Sequence, residues 1–295
     1  MNTIWSSYIQ STGELYESRA LRFDDSSKGL WLGALGARPG ERLLEIGCGS
    51  GIFCHRVKSY LPDVSVTGID LDDSHIAFAR KKSDGLGLDC RFVVGDATAL
   101  PFGDASFDLC FSHTVAEHIP HDAFFGEQRR VLRPGGRIVV FSVRTRLNIR
   151  SDDAMGDEEA ALLEKAWKRA SETSDLDDSF VGAYEMDEHE YPRELEKYGF
   201  EDVSVRVFTV MDYAPDSSDV PREKALRQIN CRRLGVLSSL EKALNHRSDA
   251  LSQAESGRLR ELINARFDER IAKYERGEKL WDFSTSTVLA VSGVR

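Results

Sequence analysis

Nowhere does the sequence run to the roughly eighteen apolar residues in a row that a membrane-spanning helix requires, so no transmembrane segment is expected. Cysteine is scarce. Cys48, Cys54, Cys90, Cys110 and Cys231 form an odd, scattered set with no CxxC pair. That argues against a disulfide framework or zinc ribbon and fits a reducing, cytoplasmic setting. The opening residues, MNTIWSSYIQSTGELYES, lack a basic start followed by an apolar core and do not read as a secretory signal. Basic residues are outnumbered: 39 Lys and Arg stand against 49 Asp and Glu, a net charge of −10 that disfavours nucleic acid as a partner. A GxSxG elbow, a Walker A motif, an EF-hand loop, internal repeats and low-complexity tracts are all missing. With 295 residues, 41% of them apolar, the chain can form one large domain, or a core domain with an added cap.

The charge is uneven. Residues 151–190 hold 14 acids and 3 bases, a net of −11; residues 221–280 hold 14 bases and 9 acids, a net of +5. Two solvated helical faces would account for this. So would packing of the two segments against each other, or a basic segment facing an anionic substrate.

From residue 41 to 143, short β-rich runs alternate with helical stretches. The runs are 42–46, 64–69, 90–94, 107–111 and 137–143. They are apolar throughout, as expected of strands buried on both faces of a parallel sheet. Helices are expected from Gly51 to Tyr60, from Ser74 to Lys82 behind the N-caps Asp72 and Asp73, and from Asp122 to Leu132, stopped by Pro134-Gly135-Gly136. This alternation means an α/β, doubly wound sheet with right-handed crossovers. Beyond 143 the spacing predicts a helix over 157–172, with Leu163, Ala166, Trp167 and Ala170 on one face. It also predicts a short helix over 192–198, a strand over 202–210 and a final strand over 284–293. Between those strands lie two long amphipathic helices, one carrying Leu226, Ile229, Leu237, Leu240 and Leu244, the other Leu259, Ile263, Phe267, Ile271 and Tyr274. The first 35 residues read as helical, with Ile4, Trp5, Tyr8 and Ile9 as an apolar stripe. Tyr16 and Arg19, one turn apart, can cover a ligand.

The most informative stretch is Leu43-Leu44-Glu45-Ile46-Gly47-Cys48-Gly49-Ser50-Gly51, which follows a strand and opens a helix. Alternate glycines let the backbone turn sharply and approach a ligand, whose carboxylate can meet the helix-start N–H groups. The dinucleotide fingerprint GxGxxG is not satisfied, because Ile occupies position 52. Cys48 reads as a small residue in a tight turn with no role for its thiol. The second strand ends Gly68-Ile69-Asp70, placing an acid where it can accept both ribose hydroxyl protons. The third ends Gly95-Asp96-Ala97, and the fourth runs into Ser112-His113-Thr114-Val115-Ala116-Glu117-His118. N-capping of the following turns is the plainer reading of Asp70 and Asp96.

These motifs, in this order and spacing, resemble the core of the class I S-adenosylmethionine-dependent methyltransferases, small-molecule type, such as the quinone-biosynthesis enzymes. The likeness covers about residues 40–143, with a looser echo in 197–205 and the last strand. It implies a Rossmann-like seven-stranded sheet, mostly parallel with an antiparallel last strand, plus a helical cap. It further implies S-adenosylmethionine as cofactor. Gly47, Gly49 and Gly51 would bound its methionine moiety, and Glu45 would support its amino group. Asp70 would hold the ribose, Leu71 would lie against the adenine, and Asp96 beside Ala97 would accept from the adenine amine. Ser112 and His113 would line the pocket near the sulfonium. The corresponding division is 37–143 as cofactor-binding core, completed by 192–210 and 284–295, with 1–36, 144–191 and 211–283 as helical additions. In the resembling family the last connection is a short hairpin, whereas here it holds about 70 residues. The expectation is that the three additions form a lid over a small or medium acceptor; a dimerisation arm is the alternative, and the chain is a monomer or a homodimer.

Methyl transfer from a sulfonium needs positioning and exclusion of water, and a base only for an acceptor of high pKa. The candidates for that base are His113, Glu117, His118 and His121. A metal is not expected: His113 and Glu117 are one residue out of register for the HxxEH pattern, and Pro120 separates His118 from His121. Three other functions compete. A non-catalytic S-adenosylmethionine-binding or interaction protein is one. A nicotinamide oxidoreductase is disfavoured by the glycine spacing. A methyltransferase acting on protein or nucleic acid is also possible, the latter disfavoured by charge and by the lack of an Asn/Asp-Pro-Pro-aromatic motif.

Overall fold

A computed structural model describes residues 5–6, 11–151, 155–172 and 181–295. Of the expected N-terminal stripe, Ile4, Tyr8 and Ile9 fall outside the described residues.

The apolar runs form strands because each can bury both faces. Strands β1 (Arg42–Ile46), β2 (Ser65–Asp70), β3 (Cys90–Val94), β4 (Phe107–His113) and β5 (Leu132–Val143) pair in parallel in the order β3-β2-β1-β4-β5. Helices α1 (Thr12–Arg22) and α2 (Lys28–Leu35) precede β1. The crossover helices are α3 (Ile52–Tyr60), α4 (Asp73–Leu86) and α5 (His121–Val131). Asp72 caps α4 as expected, its carboxylate accepting from Ser74 N at 3.0 Å and His75 N at 3.3 Å. The end of α5 differs from expectation. The helix stops at Val131 and β5 begins at once with Leu132, which pairs with Phe107 ahead of an irregular step in the ladder. Pro134-Gly135-Gly136 therefore lies within the strand, its backbone bonded to Arg295, and does not end the helix.

The remaining elements are β6 (Arg150–Ser151), α6 (Asp157–Glu172), α7 (Glu190–Lys197), β7 (Glu201–Tyr213), α8 (Arg222–His246), α9 (Gln253–Glu275) and β8 (Phe283–Val294). β8 runs antiparallel between β5 and β7, so β7 is parallel to the rest, as the resemblance implies. The sheet has eight strands rather than seven, because the two-residue β6 pairs with the start of β8 beyond the end of β5. No periodicity can announce so short a strand.

Helices α6, α8 and α9 share an apolar core of their own, built on Ala166, Ala170, Ile229, Leu240, Leu259, Ile263 and Phe267. Trp167 is on the outer side, its indole N–H donating to Ser239 Oγ at 3.0 Å. The oppositely charged segments pack together. Arg258 and Arg266 of α9 reach Glu158 and Glu159 of α6 at 2.8 Å, and Lys165 pairs with Glu255. At the base of this bundle, Arg270 binds Asp282 at 2.7 Å and Asp216 at 2.9 Å. Tyr213 Oη donates to Asp282 at 2.7 Å, and Asp216 also accepts from Leu280 N and Trp281 N, both at 2.9 Å. The end of β7, the start of β8 and α9 are thus joined through one buried network. Helix α1 lies between the bundle and the sheet, packing against both α8 and α3.

Candidate functional site

Parallel strands leave their carboxyl ends on one edge, and in an open α/β sheet that edge is where ligands bind. Here it opens into a cavity of about 560 Å³. Its floor is the bend after β1. Gly47, Gly49 and Gly51 all have positive φ (64°, 50° and 82°), which favours glycine at each. Their neighbours add a second reason. A Cβ on Gly47 would stand 2.6 Å from Val115 Cγ2, and one on Gly51 would stand 2.8 Å from both Ala79 Cβ and Phe92 Cζ. Gly51 therefore faces α4 and β3, behind the bend. Only Gly47 and Gly49 line the cavity.

Glu45 lies beneath the bend, 3% exposed, its Oε2 accepting from Cys54 N at 3.0 Å and Cys54 Sγ at 2.8 Å. Burial pushes its carboxyl up to about 8 despite those two bonds, with the charge of Asp70 adding to the rise. Asp70 closes β2, with Oδ2 accepting from Gly49 N at 2.7 Å and Oδ1 from Asp72 N at 2.9 Å. Each oxygen keeps a second lone pair for a ligand. Leu71 follows at the mouth, 58% exposed, a large apolar side chain left open to solvent. Asp96 makes the capping turn of the plainer reading through Oδ1, which accepts from Thr98 N and Thr98 Oγ1 at 2.7 Å; Oδ2 accepts from no described residue. Ala97 stands beside it on the cavity wall.

At the far end of the cavity, His113 ends β4 in contact with the ring of Phe23, 5.0 Å away edge-on. Burial holds its pKa well below the usual imidazole range, and Arg22 and Arg19 reinforce the effect, so the ring is neutral. Thr114 then takes φ +54°, an uncommon conformation for a β-branched residue, and turns the chain into the wall formed by Val115, His118 and Ile119. His118 lines the cavity, packs against Trp5 with ring centroids 4.9 Å apart and planes tilted by 55°, and accepts from Gly182 N at 2.9 Å.

Besides Gly51, four expected site residues lie off the cavity. Ser112 is fully buried within β4, and its hydroxyl has no partner. Glu117 sits behind the wall, its carboxyl raised by burial. His121 faces Tyr184 O at 3.0 Å. Tyr16 packs on Phe78 and His55 beneath Lys82, because α1 turns Leu15 and Arg19 toward the cavity, and Tyr16, about 100° around the helix from Leu15, points elsewhere. The lining that sequence reasoning missed is chiefly apolar: Leu15, Phe23, Ile52, Phe53, Val115 and Ile119, with Ser50 and His75 among the polar additions.

Two observations bear on what fits. Acidic side chains (Glu45, Asp70, Asp72, Asp96) outnumber the single lining arginine, Arg19. Such a cavity suits a cationic nucleoside and repels a pyrophosphate, which counts against a nicotinamide dinucleotide. Ser50 Oγ and His75 Nε2 belong to lining residues and are buried without partners, two polar groups that a ligand can satisfy.

Residues 44–140 match the family model described as a methyltransferase domain. The chain is 37% identical over 101 residues to the demethylmenaquinone methyltransferase of Thermus thermophilus, covering 34% of this chain and 46% of that one. Matches to the first curated relatives span between 34% and 46% of their length. The fold is shared with Haemonchus contortus phosphoethanolamine N-methyltransferase 2 in complex with S-adenosyl-L-methionine, at a TM-score of 0.53 and 16% identity, over 99% of this chain and 59% of that one. A longer alignment, 32% identical over 211 residues, joins it to the 27-O-demethylrifamycin SV methyltransferase of Amycolatopsis mediterranei and covers 69% of this chain and 72% of the relative. The chain belongs to the class I S-adenosylmethionine-dependent methyltransferases.

Proposed function

We propose that the protein methylates a small or medium-sized molecule enclosed between the sheet edge and a helical lid made of α1 and the α6–α8–α9 bundle. The observation that carries this reading is the acid-lined cavity at the carboxyl ends of β1, β2 and β4, roofed on one side by α1. Asp70 binds the ribose hydroxyls, Leu71 covers one face of the adenine, and Asp96 Oδ2 accepts from the adenine amine beside Ala97. Gly47, Gly49 and Glu45 hold the amino end of the methionine moiety, and Arg19 takes its carboxylate. When bound, S-adenosylmethionine supplies an electrophilic methyl group on a sulfonium. The protein then aligns the acceptor and sheds water, through the apolar side chains of Phe23, Phe53, Val115 and Ile119. His113 and His118 both line the cavity as neutral rings, but His118 Nδ1 accepts from Gly182 N and His113 Nε2 faces Arg22 Nη1, so the one acceptor nitrogen of each ring is already engaged and both rings position the acceptor.

Calorimetric titration with S-adenosylhomocysteine tests the assignment. Asp70→Ala is expected to weaken binding by about 1–3 kcal/mol, the scale of hydrogen bonds to a charged group. Asp70→Asn, which keeps an oxygen for Gly49 N–H, separates the loss of the ribose from slackening of the bend. Unchanged affinity in both variants overturns the ribose assignment.

A further inference from the structure

The reaction proposed above leaves Arg22 without a task, and its surroundings are unusual for a half-buried cation. Arg22 lies one turn after Arg19 on α1. Its Nη1 points to His113 Nε2 at 3.4 Å, its Nη2 donates to Ser286 Oγ at 3.2 Å, and its Nε is buried with no partner. Among the described residues, neither Arg19 nor Arg22 has a carboxylate oxygen within 4 Å. The buried Arg270, by contrast, is held between Asp216 and Asp282. The acid nearest in effect, Asp212, reaches Arg22 only through Ser286, which donates to Asp212 Oδ2 at 2.6 Å. Burial and the neighbouring Arg19 draw the pKa of Arg22 down to about 9. A half-buried cation whose Nε–H is fully covered and lacks a direct anion weakens the fold unless a ligand completes the pair. Ser286 meanwhile steers the guanidinium by accepting from one arm, which leaves the Nε–H open.

Position separates the two arginines. Arg19 shares the cavity wall with Leu15, whose Cδ2 lies against Gly49 at the methionine end. Arg22 is not itself among the lining residues; it touches the cavity-lining His113 from the side of Ser286 on β8, beyond the methionine end. We propose that the methyl acceptor carries a carboxylate that binds Arg22, and an apolar body that packs against Phe23 and Phe53. This proposal rests on the methyltransferase reading. The carboxylate is a recognition handle here, and the atom that takes the methyl is a separate matter.

Thermal unfolding and calorimetry of protein saturated with S-adenosylhomocysteine test it, with benzoate and octanoate as probes and benzamide and chloride as controls at matched ionic strength. Either carboxylate is expected to raise the melting temperature of the unaltered protein, and neither control is. In Arg22→Met and in the shorter, uncharged Arg22→Gln, carboxylate binding is expected to fall by about tenfold to a hundredfold. Both variants without probe are expected to melt at or above the temperature of the unaltered protein, because an unpaired half-buried charge has gone. No carboxylate response in the unaltered protein, an equal response in the variants, or melting of both variants below it overturns the proposal. The shift caused by S-adenosylhomocysteine itself, read in the same samples, reports separately on the cofactor site.

Discussion

Arg270→Ala is expected to lower the free energy of unfolding by about 3–5 kcal/mol, the usual consequence of removing one member of a buried ionic network. Asp216 and Asp282, 6% and 5% exposed, would both lose the cation that they share. Asp282 would keep the Tyr213 hydroxyl and Arg232 at 3.9 Å, whereas Asp216 would keep the N–H groups of Leu280 and Trp281, which do not neutralise its charge. Urea unfolding measures the loss. A second measurement locates it: limited proteolysis should find residues 214–221 and 276–282 cut sooner, because both segments are anchored to this network. In the double variant Arg270→Met, Asp216→Asn, which leaves Asp282 with Arg232, much of the stability should return, since neither carboxylate position then holds a charge without a counter-charge. A loss under 1 kcal/mol for Arg270→Ala would mean that the network is hydrated and carries little of the attachment between bundle and sheet.

The second large effect is on pH dependence and comes from Glu45. Below about pH 4.5, both the folded and the unfolded chain hold its proton. Between 4.5 and about 8, the unfolded chain releases it while the folded protein retains it. The folded state then binds more protons, so this group's contribution to stability is full below 4.5 and declines as pH rises to 8. The decline is on the order of 3–5 kcal/mol across the window. Glu45→Gln, neutral at every pH, should remove that slope, so the stability of the variant relative to the unaltered protein climbs with pH. Ligand binding should show the same proton. If Glu45 holds a cationic amine, binding of S-adenosylhomocysteine at pH 6.5 forces the carboxyl to ionise and releases close to one proton. Calorimetry in two buffers of different ionisation enthalpy counts it, and Glu45→Gln should release none. Equal release by both proteins would place the amino group elsewhere in the cavity.

The cofactor half of the molecule was legible because its signals are local. Strands buried on both faces must be apolar throughout, a bend with three positive φ values calls for glycines, and a carboxylate at a strand end is placed by the strand itself. The roof was not legible in the same way. Leu15, Arg19 and Phe23 are spaced by four and report an amphipathic helix, yet nothing in that spacing says which flank meets the cavity. Tyr16 was therefore paired with Arg19 when it belongs to the contact with α3 and α4. Ser112 was misplaced for a related reason. Alternation along β4 turns successive side chains to opposite faces, so Ser112 and His113 cannot both face one cavity. The charge asymmetry between residues 151–190 and 221–280 left three readings open, and only the three-dimensional pairing of α6 with α9 selects among them.

The bundle enters and leaves the sheet at adjacent antiparallel strands, where Tyr213 pairs with Ser284, and it has an apolar core separate from those of the sheet. The interior of the bundle and the packing beneath the glycine bend are therefore separate cores. Substitutions that resize the interior of the bundle leave the packing beneath the glycine bend untouched. Under the lid reading proposed above, a lineage, or an engineer, can exchange what is methylated while the grip on the donor is inherited unchanged.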